Sequence, residues 1–163
     1  FVGEQPGDSE DKEGHPFVGP AGKLFRKAMD QAGISPSDAY ITNAVKHFKY
    51  VWRGKRRIHQ KPKRTEVIAC RPWLEAEIEA VRPGVIVALG ATAAQSLLGP
   101  SFRLTQHRGE FVESEWPAHV TATVHPSAIL RAPDEESRHV EMAKFIADLK
   151  IVAKALKGRG TKD

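Results

Sequence analysis

Five consecutive apolar residues, Val85-Ile86-Val87-Ala88-Leu89, stand between the breakers Pro83-Gly84 and Gly90. A strand with one wet face alternates apolar and polar residues, so an unbroken run between turn formers reads as a central strand covered on both sides. Helices must supply that cover. Leu24, Phe25, Ala28, Met29 and Ala32 recur at helical spacing and stop at Gly33. Val67, Ile68, Trp73, Leu74 and Ile78 place a second helix over residues 65–81, with Pro72 as a kink or restart. Shorter patterns predict a strand at 40–45, a helix at 91–98, a strand at 120–124 and a closing helix from about 135 to 155. The stretch between 99 and 119 is ill-defined, with a hairpin turn at Arg108-Gly109. This alternation predicts an α/β protein, a three-layer α/β/α sandwich around a largely parallel, four-stranded sheet. One domain over residues 1–157 accounts for it, with 158–163 as a disordered tail. Phe1-Val2 before Gly3 reads as the end of a buried strand, so an N-terminal segment is expected to be missing.

Charge narrows the partners. Of 25 Lys and Arg against 20 Asp and Glu, nine cations and no acid fall within residues 46–64, leaving 16 cations against 20 acids elsewhere, a net −4. A concentrated cationic segment on a mildly acidic body points to a polyanion, nucleic acid ahead of a membrane surface. No apolar run approaches the roughly 18 residues a membrane span needs. The single cysteine, Cys70, excludes a disulfide scaffold, and with no signal peptide pattern the expected setting is cytoplasmic.

Ligands of open parallel sheets bind outside the carboxyl ends of the strands. That singles out the loops 3–22, 43–64, 90–91 and 125–131. The first is neither a Walker A loop nor a dinucleotide fingerprint, and it reads either as a rigid surface loop or as a site. Glu4 and Asp8 offer carboxylates, Gln5 an amide, and Phe17 a ring to stack on a flat base. Asn43 is either a turn residue or a reader of one base edge. His125, followed by Pro126, Ser127 and Arg131, is either structural or part of the site. The basic run is a solvated face or a phosphate contact. It also contains His59, whose cationic neighbours favour a neutral imidazole able to act as base or nucleophile. Tyr50 and Trp52 add stacking surfaces.

Taken together, GE-x-PG-x-x-E (Gly3 to Glu10), PFVGPAG (Pro16 to Gly22), TNAVK (Thr42 to Lys46), ACRPWLEAEI (Ala69 to Ile78), ALGATA (Ala88 to Ala93) and HPS-x-x-LR (His125 to Arg131) resemble the uracil-DNA glycosylase superfamily, in its iron-sulfur branch. The resemblance runs in order over nearly the whole chain. It is strongest to the UdgX type, because Gln5 follows Glu4 where family-four enzymes have Ala, and because Lys55 to His59 spell that type's KRRIH insertion.

The resemblance implies a DNA glycosylase acting as a monomer on uracil-containing DNA, single-stranded by preference, with free uracil as product and a bacterial, nucleoid-associated location. It makes Glu4 the catalytic acidic residue and puts Gly3, Gln5 and Asp8 beside the deoxyribose and uracil. Phe17 would stack on the extruded base, Asn43 would bond its polar edge, and His125 would hold the O2 side, with Arg57, Ser127 and Arg131 on the DNA. His59 would capture C1′ of the sugar and leave the protein attached to the abasic site. A noncatalytic nucleic-acid-binding module, an ordinary turnover glycosylase and an enzyme of the same fold acting on another deaminated base are the rival readings. The family's 4Fe-4S cluster would have His47 and Cys70 as two ligands, His47 standing where the family has cysteine, and its other ligands would precede Phe1. Alternatively Cys70 is a small buried apolar residue.

Overall fold

The computed structural model describes residues 1–159. In chain order these form β1 (Val2–Gly3), α1 (Asp8–Glu13), α2 (Pro20–Ala32), β2 (Thr42–Asn43), β3 (Tyr50–Arg53), β4 (Arg56–His59), α3 (Arg64–Val81), β5 (Val85–Leu89), α4 (Ala91–Leu98), α5 (Leu104–His107), β6 (Phe111–Val112), β7 (His119–Thr123), α6 (Pro126–Leu130) and α7 (Glu135–Lys157). The main sheet runs β2-β1-β5-β7-β6. Its first four strands are mutually parallel, and β6 pairs antiparallel with β7.

The alternation inside β5 builds both halves of the core. Val87 and Leu89 face a cluster with Phe25, Met29, Ile129, Phe145 and Leu149 from α2, α6 and α7. Ile86 and Ala88 face the opposite way, onto Leu74, Ile78 and Leu97 from α3 and α4. A strand whose successive side chains are both buried cannot show the polar alternation of a half-exposed one. The three-layer expectation therefore holds.

The sheet differs from the expected four strands by one. The fifth, β6, is two residues long and lies at the edge, and Arg108-Gly109 joins it to α5 rather than turning a hairpin. The strand expected over 40–45 contracts to Thr42–Asn43. Pro72 sits inside α3 without ending it, and only Cys70, Leu74 and Ile78 of that helix are buried, while Ile68 and Trp73 are exposed.

The largest departure is in the basic segment. It is an antiparallel hairpin, with Tyr50 opposite His59 and Trp52 opposite Arg57. Gly54, at φ +60°, heads a two-residue Gly-Lys connection of the kind that matches strand twist. The hairpin forms a separate two-stranded sheet, closed at its base by a bond from the Gln60 N–H to the Lys49 carbonyl at 2.9 Å. At the other end of the chain, Gly158 caps α7, donating to the Lys154 carbonyl at 3.1 Å. Residues 160–163, most of the expected tail, lie outside the described residues.

Candidate active site

The carboxyl ends of the four parallel strands deliver their next residues to one cleft of about 690 Å³. Glu4 follows β1, Asn43 ends β2, Gly90 and Thr92 follow β5, and His125 follows β7. The hairpin closes the cleft from above with His59.

Close backbone approaches explain the glycines. A Cβ on Gly3 would stand 2.4 Å from the Asn43 Oδ1 and 3.1 Å from the Phe17 ring, so only glycine lets those two side chains meet over the end of β1. Gly90, at φ +94°, turns the end of β5 beside the His125 Cβ. Phe17 itself has φ +53°, unusual for an aromatic residue, and its carbonyl presses on Gly22 so closely that a Cβ there would be 1.8 Å away. The strained backbone holds the Phe17 ring tilted against Phe25, with centroids 5.1 Å apart, and at 27° to the His125 ring, 5.7 Å away.

Three polar groups then differ in what they can offer a ligand. Asn43 is buried, yet its side-chain amide makes no hydrogen bond to the described residues. Its donor and acceptor are open to a planar amide-like ligand edge. Nδ1 of His125 accepts the Ser127 N–H at 3.1 Å, which assigns the ring proton to Nε2. The Ser127 hydroxyl lies 2.7 Å from the same nitrogen and accepts from Arg131 at 3.3 Å. Burial drives the His125 pKa down to about 4; the Glu4 charge opposes this, while those of Arg131 and His59 add to it. His125 is thus a neutral imidazole that donates through Nε2 at neutral pH.

Glu4 is the anion of the cleft. Burial raises its pKa, but hydrogen bonds from His59 and Thr92 and the nearby His59 and His125 rings outweigh this, so it sits below the usual carboxylate range. Its Oε1 lies 3.0 Å from Nε2 of His59, and the two side chains are 22% and 52% exposed. The charged neighbour of His59 is therefore a carboxylate rather than the cations beside it in the sequence.

Gln5, Asp8 and Arg57 come to the hairpin rather than to the middle of the cleft. The Gln5 amide donates to the carbonyls of Gln60 at 3.1 Å and Lys49 at 3.4 Å, while its oxygen accepts the Lys49 N–H at 3.2 Å. Arg57 is pinned by Asp8 at 2.6 Å and Asp11 at 2.7 Å and lies over the rings of Phe48 and Tyr50. With Lys46 paired to Glu77 and Lys49 to Glu66, six of the segment's nine cations remain without an ion pair among the described residues. Those six, Arg53, Lys55, Arg56, Lys61, Lys63 and Arg64, are the charge available to a polyanion.

Two participants were not anticipated. Thr92, in the first turn of α4, bonds Glu4, and Glu10 bridges the first loop by accepting from Gly7 at 3.1 Å and Gly19 at 3.2 Å. Thr92 carried a usable signal, since a hydroxyl just after a strand-ending glycine falls on the ligand edge.

The expected metal ligands do not complete a site. His47 is exposed and Cys70 is a buried free thiol, and no group of three or more His, Cys, Asp or Glu suited to a metal ion occurs among the described residues. Two donors do not make the four that a 4Fe-4S cluster takes. Among the described residues no helix is long and apolar enough to cross a membrane.

Comparison with known proteins agrees with this geometry. The family profile described as Uracil DNA glycosylase superfamily matches residues 1–150. A type-4 uracil-DNA glycosylase of Thermotoga maritima is 40% identical over 141 residues, covering 86% of this chain and 70% of the relative. One from Sulfurisphaera tokodaii is 35% identical over 162 residues, covering 94% of this chain and 70% of the relative. A type-5 enzyme of Pyrobaculum aerophilum is 33% identical over 116 residues, covering 69% and 46%. Because the matched span takes in every strand end and every loop that reaches the cleft, the chain belongs to the uracil DNA glycosylase superfamily.

Proposed function

We propose that this protein excises uracil from DNA, single-stranded by preference, and then bonds to the abasic sugar through His59. The observation that carries the reading is the 3.0 Å contact between Nε2 of His59 and Oε1 of Glu4. Breaking an N-glycosidic bond leaves positive charge on the sugar and takes the electron pair to the base. The site therefore needs an anion on one side and donors on the other. Glu4 is the anion. Asn43 and the Nε2–H of His125 are the donors, with Phe17 as the surface on which the base stacks.

When the C1′–N1 bond has broken, the sugar cation lies beside Glu4 and hence beside His59. The Nε2 proton passes to Oε1 of Glu4 and the electron pair it leaves on Nε2 forms the bond to C1′, giving a neutral substituted imidazole and a protonated carboxyl, while the departed uracil anion takes a proton from water. Proximity favours the imidazole over a diffusing water. A single strand avoids the few kcal/mol of unpairing and unstacking that extrusion from a duplex costs. The UdgX-like features, Gln5 and the KRRIH segment, support the same reading because they are the parts that place His59 over Glu4.

Incubation with a uracil-containing oligonucleotide, followed by a denaturing gel and assay of released base, tests it. A heat- and SDS-resistant band with one uracil released per protein is expected, and His59→Ala should lose the band while still releasing base. Repeated release with no band would show an ordinary turnover glycosylase. Equal binding to uracil- and thymine-containing strands with no released base would show a noncatalytic module.

A further inference from the structure

Beside the cleft lies a second groove, of about 390 Å³, between the start of α3 and the helix α4. The two share Lys61 and Thr92, so one runs into the other at a common rim. Its lining combines the cations Lys61, Arg64 and Arg71 with Val67 and Ile68, and contains no carboxylate. Arg71 is already committed, donating to the Ser96 carbonyl at 2.6 Å and to Glu75 at 2.8 Å, and it lies 5.5 Å from the Trp116 ring. It builds the wall. Lys61 and Arg64 carry no ion pair among the described residues, and Ile68 is 56% exposed at the surface of a helix whose other face is core. Ser96 also lines the groove, 6% exposed, with a hydroxyl that has no hydrogen-bond partner among the described residues.

We propose that this groove holds the nucleotide next to the excised uracil on one side of the same DNA strand. The inference rests on the glycosylase reading and extends it to a flanking subsite. The chemistry suits a single strand: free cations for the phosphate and the aliphatic Val67 and Ile68 for the face of the base, neither of which reads sequence. A strand whose uracil lies between Phe17 and Glu4 must leave the cleft over its rim, and at Lys61 and Thr92 the rim opens into this groove.

The test uses single-turnover uracil release by the full chain. Three substrates are compared: an oligonucleotide of about 15 nucleotides with central uracil, and two cut back so that uracil is the 5′ or the 3′ terminal nucleotide. Arg64→Glu and Ile68→Glu, both at exposed positions, are measured against Lys150→Glu, which makes the same charge change on α7 as Arg64→Glu and a larger one than Ile68→Glu. For the central uracil, each groove variant should raise the DNA concentration at half-maximal rate roughly fivefold or more, with the maximal rate unchanged and Lys150→Glu near wild type. The defect should vanish with one of the two terminal substrates, which identifies the side of the strand. A defect equal to that of Lys150→Glu, or one that persists with both terminal substrates, would overturn the groove assignment while leaving the glycosylase intact. Absence of uracil release by the unsubstituted protein from all three would overturn the glycosylase reading, and the subsite with it.

Discussion

Glu4 and His59 are 55 residues apart in the chain and meet through one hydrogen bond of 3.0 Å. Glu4 follows the end of a buried parallel strand, whereas His59 ends an exposed hairpin, so the pair joins the buried sheet to one of the least buried elements. Removing the carboxylate should abolish the charge stabilisation that breaks the glycosidic bond. Glu4→Gln, nearly isosteric, is expected to slow single-turnover uracil release by roughly a hundredfold or more. Release at the wild-type rate would remove Glu4 from the chemistry.

The anchoring of the hairpin can be separated from bond breaking. Gln5 holds both Lys49 and Gln60, the residues flanking the hairpin, and Gln60 directly follows His59. Gln5→Ala is therefore expected to slow formation of the covalent product by up to about a hundredfold while altering uracil release much less, because misplacing a reacting group by about 1 Å costs on that scale. Parallel quantification of gel-shifted protein and free base checks this, and an equal loss of both would show that Gln5 acts on excision.

His125 makes a stability prediction with a definite sign. Its pKa falls from 6.5 to about 4 on folding, so between those values the unfolded chain binds a proton that the folded chain does not. Stability is fully present above pH 6.5 and is lost as pH falls through about 4, by about 3 kcal/mol for this group alone. His125→Asn keeps a side-chain acceptor for the Ser127 N–H, and its urea unfolding free energy should fall less steeply over the same pH range. Parallel curves for the two proteins would rule out the buried neutral imidazole.

Gly22 tests the strained turn. A methyl group there would overlap the Phe17 carbonyl at 1.8 Å, a backbone atom that cannot move without shifting Phe17 and the start of α2. Gly22→Ala is expected to lower unfolding free energy by about 2–4 kcal/mol, seen as a lower urea midpoint with the same slope. An unchanged midpoint would mean that the loop relaxes freely.

What the sequence made legible follows burial. The run at 85–89, the apolar face of α2 and the strand-end positions of Glu4, Asn43 and His125 were readable because hydrophobic periodicity and sheet topology dictate them. The hairpin was hidden. Tyr50, Val51, Trp52 and Ile58 favour strands, but both faces of this ribbon are largely exposed, so no alternation separated them from the surrounding cations. β6, only two residues long, gave no period to detect. The hairpin contacts of Gln5, Asp8 and Arg57 were hidden for a related reason. The resemblance puts them beside the DNA, and their bonds between the first loop and the hairpin depend on a long-range pairing that no local pattern encodes. Thr92 was passed over because it makes its contact across the sheet edge, between the ends of two different strands.

The closed base of the hairpin makes it a detachable unit. Since Lys49 and Gln60 are already hydrogen-bonded to each other at 2.9 Å, the chain leaves the body and returns to it at almost the same point. The main sheet, both halves of the core and the Glu4, Asn43 and His125 positions all lie outside that excursion. Replacing residues 50–59 by a short glycine-containing turn should thus leave a folded protein that cuts without capturing. On the proposed function cutting would belong to the sheet and capture to the hairpin, so a scaffold that already cleaves would gain or lose a covalent ending through one local event in its sequence.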